Sequence, residues 1–357
     1  MPDLFDSLTV KTWTLPNRLV MAPLTRNRAD GEGVPGDLAV DYYAQRASAG
    51  LIITEGTQPS AVGQGYLNTP GLHSAEQVAG WRRVADAVHE RGGRIVAQLM
   101  HAGRVAHPDN KHGLETVAPS ALAAPNEMFT ADGMKPHPVP RALELDEIPG
   151  VVEEYVRAAR NAVEAGLDGV EVHAANGYLI HQFLAPGSNQ RDDEYGGSPV
   201  ARARFAIEVT RAVAEAIGPE RVGIRISPAH NIQGATEADP ADVEATYSTL
   251  VEAIAPLGLA YLSILADPRD DLVRRLRKDF GGVVIANDGF GEITTREKAQ
   301  AILDEDLADA VAVGRLFLAN PDLPRRWETG AELNEPDPGT FYGGGADGYT
   351  DYPALDD

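Results

Sequence analysis

Cysteine is absent from the 357 residues. That one absence excludes disulfides, thiolate metal sites, iron–sulfur clusters and cysteine nucleophiles together. Basic residues are scarce beside acidic ones: 31 Lys and Arg against 53 Asp and Glu give a formal net charge of −22. Nucleic acid and anionic membrane surfaces are therefore poor partners, because phosphate contact needs clustered cations. A phosphate-bearing ligand must instead be gripped by a few placed Arg side chains and backbone N–H groups. Long apolar runs are missing too, since none approaches the roughly 18–20 residues that cross a bilayer. The opening Met1-Pro-Asp-Leu-Phe-Asp6 carries acid where a secretory signal carries base. No export signal is read there, and a cytoplasmic location is expected. No G-x-G-x-x-G follows the first strand-like run, which counts against an open Rossmann-type sheet. No H-x-H or carboxylate pair stands at a strand end, so no metal site is expected.

Apolar content of 43% supplies a large core. Short β-type runs alternate with longer Ala-rich amphipathic segments throughout. The strands are expected at 19–22, 51–54, 94–99, 169–173, 222–226, 260–264, 283–286 and 310–313. Helices are expected at 37–49, 75–91, 149–165, 199–217, 240–255, 268–279, 294–303 and 321–327. Apolar strands alternating with helices mean a parallel sheet covered by helices. Eight cycles with no second compositional regime favour a closed (β/α)₈ barrel, an α/β TIM barrel. A single domain over 1–357 is expected, because no linker divides the chain. Three pieces lie outside the cycles. Residues 5–17 read as a hairpin, with alternation in Leu8-Thr-Val-Lys-Thr-Trp13. Residues 102–145 form a long Pro-, His- and Gly-rich excursion after the third strand, and such a segment is usually functional, often a lid. The tail after 331 is too rich in Gly for a helix.

Chemistry in this fold collects at the C-terminal ends of the strands. The richest end is His173-Ala-Ala-Asn176-Gly177-Tyr178, directly after the run Asp168-Gly-Val-Glu-Val172. Two neutral hydrogen-bonding groups beside a phenol suit a carbonyl oxygen that gains charge and a neighbouring carbon that needs a proton. A structural alternative stands beside this: Asn closing an Asx turn and Tyr packing under a loop. Loops after strands seven and eight commonly bind phosphate. Gly289 and Gly314 allow close backbone approach and Arg315 can fork two oxygens, although these residues would also serve turns and a surface ion pair. Asp288 is odd there, and its side chain is expected to turn away, leaving its backbone. Arg225 interrupts Val222-Gly-Ile-Arg-Ile226, a costly placement unless it meets an anion, either Glu171 or a ligand that becomes anionic. Gln98 on a nearby strand offers donor and acceptor together, as an imide edge requires. Phosphate tail, imide edge and cation together describe a flavin mononucleotide.

The chain resembles the Old Yellow Enzyme family of flavin-dependent ene-reductases, in its bacterial branch of N-ethylmaleimide and nitroester reductases, over essentially its full length. The segments that carry the likeness include Met21-Ala-Pro-Leu-Thr-Arg26, Gln98-Leu-Met-His-Ala-Gly-Arg104 and Arg141-Ala-Leu-Glu-Leu-Asp-Glu-Ile-Pro149. Others are His173 through Tyr178 to His181-Gln-Phe-Leu184, Ser188-Asn-Gln-Arg191, Tyr195-Gly-Gly197 and the tail from Phe341 to Tyr352. The resemblance implies a barrel holding non-covalent FMN at its mouth, with NADPH or NADH as reductant and a small activated alkene or nitro compound as substrate. It implies that Pro23, Thr25, Gly56, Gln98, Arg225, Asp288, Gly289, Gly314 and Arg315 surround the cofactor. Thr25 would meet the flavin C4 carbonyl, Gln98 the pyrimidine edge, and Arg225 the region where charge gathers on reduction. It implies His173 and Asn176 as donors to the substrate carbonyl, Tyr178 as proton donor, and Tyr66, Met100 and Tyr342 around the substrate. Met100 stands where many relatives have Trp, and Asp288 where a small residue is more familiar. Segments 126–138 and 230–234 do not map onto the family pattern. Without the resemblance, a sugar-phosphate lyase or isomerase with His173 as base is the competing chemistry. A monomer or a small homo-oligomer fits equally.

Overall fold

The computed structural model describes residues 2–289, 291 and 293–355. Eight parallel strands close into a barrel: Leu19–Met21, Leu51–Ile53, Ile95–Leu99, Gly169–Ala174, Val222–Ile226, Tyr261–Leu265, Val284–Asn287 and Ala310–Val313. They pair in chain order, and the eighth returns to the first in the register Val311↔Leu19 to Val313↔Met21. The expected strands and the closed barrel are both present. The helices fall where their periodicity puts them, and several have a local reason to start. Ser74 and Gln77 form a reciprocal capping box before Ala75–Glu90, an interaction worth about 1 kcal/mol. Ser198 caps Pro199–Ile217 and Asp239 caps Pro240–Ile254, each with Pro in the first turn. The predicted start at 268 moves to Asp271, because Asp267 and Asp270 turn the chain first.

Two short helices carried no sequence signal. Leu179–Leu184 is buried at all six positions, so it has no amphipathic period to read. Arg315–Ala319 is only one turn and a half. No helix among the described residues is long and apolar enough to cross a membrane.

The barrel has two different ends. At the N-terminal end the predicted hairpin, Leu8–Val10 paired antiparallel with Trp13–Leu15, acts as a plug. Val10, Trp13 and Leu15 pack with inward-facing Val20, Ile53, Val96 and Ile285. At the C-terminal end the inward positions turn polar, and the excursion and tail gather round the opening. The excursion is more ordered than its composition suggests. Val117–Ala118 pairs with Arg141–Ala142, and Glu127–Thr130 forms a hairpin with Gly133–Pro136. The tail is tied down by buried Arg26, which donates to Phe341 O at 2.9 Å and Gly348 O at 2.7 Å. Tyr349 stacks on Tyr42, with centroids 4.1 Å apart. Glu55 fixes the other side of this junction by accepting the N–H groups of Arg26 and Asn27 at 3.0 and 3.3 Å.

Candidate active site

Strand register assembles the floor of the site. His173, Arg225 and Ser263 face one another across strands four to six, and one step below lie Gln98, Glu171, Gly223 and Tyr261. Gly223 is required here, because a Cβ would lie 2.2 Å from the Tyr261 ring. Gln98 donates to Glu171 Oε1 at 2.8 Å. Arg225 donates to Ser263 Oγ at 3.0 Å and Asn287 Oδ1 at 3.2 Å, and Asn287 in turn donates to Ala312 O at 2.9 Å. The suggested Arg225–Glu171 ion pair is therefore not a direct contact. Burial pulls the Arg225 pKa down and pushes that of Glu171 up, while each charge partly restores the other. Arg225 Nε is buried without a protein partner, whereas the Glu171 carboxylate has the Tyr261 hydroxyl beside it. An unmet group of this kind in a polar rung is what a bound polar ligand would satisfy.

The fourth strand delivers His173, and the chain then turns sharply. Asn176 and Gly177 take consecutive left-handed conformations, φ 60° and 80°. Asn tolerates that region, and Gly at 177 is required by space as well, since a Cβ would lie 2.8 Å from Gln233 Cβ and Ile232 O. Three bonds hold the turn. Asn176 N–H donates to Ser227 Oγ at 2.9 Å, Gly177 N–H to His181 Nδ1 at 2.8 Å, and Gln233 Nε2 to Asn176 O at 2.9 Å. Asn176 Oδ1 has no partner, so the side chain closes no Asx turn. His173 Nδ1 is likewise buried and unpartnered. Burial first, then Arg225 and His181, hold the His173 pKa well below its ordinary value, so the imidazole is neutral. The Tyr178 ring lies 5.3 Å from that of His173, and its hydroxyl is 2.9 Å from the Tyr66 hydroxyl.

Two cavities meet at this point. One of about 1030 Å³ is lined by Pro23, Thr25, Arg225, Gly289, Gly314 and Arg315, together with the 333–336 segment and Phe341. A lobe of about 590 Å³ is lined by Tyr66, Met128, Phe129, Met134 and Tyr178. Thr25 and Tyr342 line both. His173, Asn176, Gln98, Gly56, Met100 and Asp288 line neither, although His173 neighbours Arg225 in the strand register. Gly56 and Met100 are complementary, because a Cβ at 56 would lie 2.5 Å from Met100 Sδ. The Asp288 carboxylate does turn to a neighbour, accepting the Thr294 hydroxyl at 2.7 Å.

Several residues of the site carried weak signals. Ser263 is the lone polar residue in Tyr261-Leu-Ser-Ile-Leu265, the same interruption that marked Arg225. Gln233 lies in the unmapped 230–234 segment, and Phe129 and Met134 in the excursion. The 333–336 wall has no pattern that could have marked it.

Residues 3–334 match the NADH:flavin oxidoreductase / NADH oxidase family. The chain belongs to this family, the Old Yellow Enzymes. It is 45% identical over 351 residues to a probable flavin mononucleotide-dependent alkene reductase of Leishmania infantum, covering 96% of this chain and 94% of that protein. The fold is similar to that of morphinone reductase in complex with tetrahydroNAD, with TM-score 0.93, 50% identity and coverage of 100% and 98%. It is also similar to the Old Yellow Enzyme homologue from Zymomonas mobilis, with TM-score 0.94, 43% identity and coverage of 99% and 100%. The Old Yellow Enzyme likeness read from the motifs is thus confirmed at the level of the family.

Proposed function

We propose that the protein is an FMN-dependent NAD(P)H:alkene reductase acting on α,β-unsaturated carbonyl or nitro compounds. The observation that carries this is the neutral His173 and the Asn176 side chain beside the Tyr178 phenol, next to a cavity that ends in Gly289, Gly314 and Arg315. The larger cavity suits FMN in its chemistry. Arg225 brings an unmet N–H and a positive charge, Thr25 a hydroxyl, and the far end glycines and a guanidinium. Thr25, Gln98 and Arg225 would hold the ring, and Gly289, Gly314, Arg315 and the Asp288 backbone the phosphate. When bound, FMN supplies to the alkene β-carbon a hydride taken from NAD(P)H.

His173 and Asn176 donate to the substrate oxygen, and they do so more strongly as negative charge develops there than in the ground state. A neutral imidazole suits that task, because it donates without surrendering its proton early. Tyr178 is a stronger acid than a neutral imidazole but still a weak one, with burial raising its pKa. It therefore holds its proton until the α-carbon becomes basic, then delivers it.

An absorption spectrum followed by anaerobic NADPH and then 2-cyclohexenone tests the reading. The expected result is a yellow protein that bleaches and recovers its colour. Tyr178→Phe should slow recolouring by about 10²- to 10³-fold while leaving bleaching intact. Equal loss of both half-reactions would sink the assignment of Tyr178, and a colourless protein that cannot take up FMN would sink the whole reading.

A further inference from the structure

The loop after the fifth strand is held in an unfavourable backbone conformation. Ala229, Asn231 and Gln233 have φ of 55°, 50° and 56°, a region L side chains seldom adopt. Strong local contacts maintain it. Glu237 accepts Ala229 N–H at 2.7 Å, Asn231 Oδ1 accepts Glu237 N–H at 2.6 Å, and Arg104 donates to Gln233 O at 3.2 Å. The result is that the Gln233 side chain is pressed onto the catalytic turn, in the space that Gly177 leaves open. Its amide donates to Asn176 O at 2.9 Å and faces the hydroxyls of both Tyr66 and Tyr178. Those hydroxyls are 2.9 Å apart.

We propose that Tyr66, oriented by Gln233, stabilises the Tyr178 phenolate after proton donation and passes it a replacement proton from water. The inference rests on the reading that Tyr178 protonates the substrate. A hydroxyl whose hydrogen points at a substrate carbon cannot also donate to Tyr66. At that moment the hydrogen bond between the phenols must run from Tyr66 to the Tyr178 oxygen. The Tyr178 O–H bond then breaks as the α-carbon–hydrogen bond forms, and its electron pair stays on Tyr178. Next the Tyr66 O–H bond breaks as the Tyr178 O–H bond re-forms, and Tyr66 takes a proton from water. One proton is drawn from solvent per cycle, and no redox change occurs in either phenol.

The path to water is the lobe that both tyrosines line, which carries Tyr342, 69% exposed, on its wall. Tyr178 is buried and Tyr66 half-buried, and removal from solvent raises the pKa of each. The Tyr66 hydroxyl and the Gln233 amide pull Tyr178 back down, whereas Tyr342 pushes it up. Among the described residues, the remaining ionisable groups near the pair are His173, which is neutral, and Glu127 at the lobe wall. A buried phenolate with no donor beside it would be strongly disfavoured. Tyr66 is thus a positioning residue acting through Tyr178.

The test uses the FMN-loaded holoenzyme and the variants Tyr66→Phe, Gln233→Ala and Tyr178→Phe. Tyr66→Phe should slow reoxidation of the NADPH-reduced enzyme by 2-cyclohexenone about tenfold, the typical effect of one hydrogen bond to a developing charge. The slowed rate should rise with phosphate buffer concentration at constant ionic strength, as solvent acids replace the missing donor. In the oxidised holoenzyme, ¹³Cζ-tyrosine NMR, assigned with Tyr178→Phe, should show Tyr178 titrating at higher pH in Tyr66→Phe. Gln233→Ala should move both readouts the same way by less. A wild-type reoxidation rate with an unmoved Tyr178 resonance in Tyr66→Phe overturns the proposal, while slow Tyr178→Phe would still uphold the proton-donor reading. Fast Tyr178→Phe removes both.

Discussion

The buried carboxylate of Glu55 makes stability depend on pH in a direction opposite to the usual acid-induced loss. Glu55 follows the second strand, and its Oε2 accepts the backbone N–H groups of Arg26 and Asn27. Burial outweighs those donors and the nearby Arg26 and Arg28 charges, and pushes the carboxyl from 4.5 up to about 7. The folded protein therefore binds more protons than the unfolded chain between these two values. The stabilisation this gives is complete below the unfolded pKa and is lost as pH rises through about 7. From pH 5 to pH 8 the loss amounts to about 2.5 kcal/mol. His173 and His101 act in the opposite sense. Their folded pKa values are depressed, that of His101 to about 3, so each costs stability as pH falls below the ordinary imidazole value. The raw pH curve mixes these effects, and the difference between wild type and Glu55→Gln isolates one of them. Gln keeps the shape and an oxygen acceptor for the Thr25–Asn27 turn without the charge. Urea unfolding in excess FMN should show the variant gaining about 2.5 kcal/mol on wild type between pH 5 and pH 8. A difference constant across that range to within about 0.5 kcal/mol would refute the reasoning.

Two further substitutions address the site. Gly177→Ala forces a side chain into left-handed backbone, at roughly 1–2 kcal/mol, and against Gln233 Cβ and Ile232 O. Both thermal stability and alkene turnover should fall, and an unchanged melting temperature would contradict the steric account. Arg315→Ala should leave the circular dichroism spectrum intact while weakening FMN binding at least about tenfold, the loss expected of a charge-assisted phosphate contact. Equal FMN affinity in titrations of the two apoproteins would count against a phosphate role.

The architecture was legible because its signals are local. Each barrel strand is a short apolar run, the longer helices keep a 3.6-residue period, and Ser, Asp and Pro mark several of the starts, so all eight cycles could be counted along the chain. His173, Asn176 and Tyr178 could be grouped for the same reason, as they share one strand end. The excursion hairpin at 127–136 and the helix at 179–184 were not legible, because one is built on a Pro- and Gly-rich background and the other is buried on every side.

What composition and local pattern determined was the kind of molecule: an acidic, cysteine-free barrel with polar strand ends and a phosphate-compatible last pair of loops. What only the tertiary structure decided was who meets whom. Arg225 pairs with Ser263 and Asn287 rather than Glu171, because barrel closure and register set its neighbours. Tyr66 reaches Tyr178 across 112 residues, and Gln233 reaches Asn176 across 57. Such contacts depend on how distant loops pack over the barrel mouth, and no periodicity within either segment encodes that.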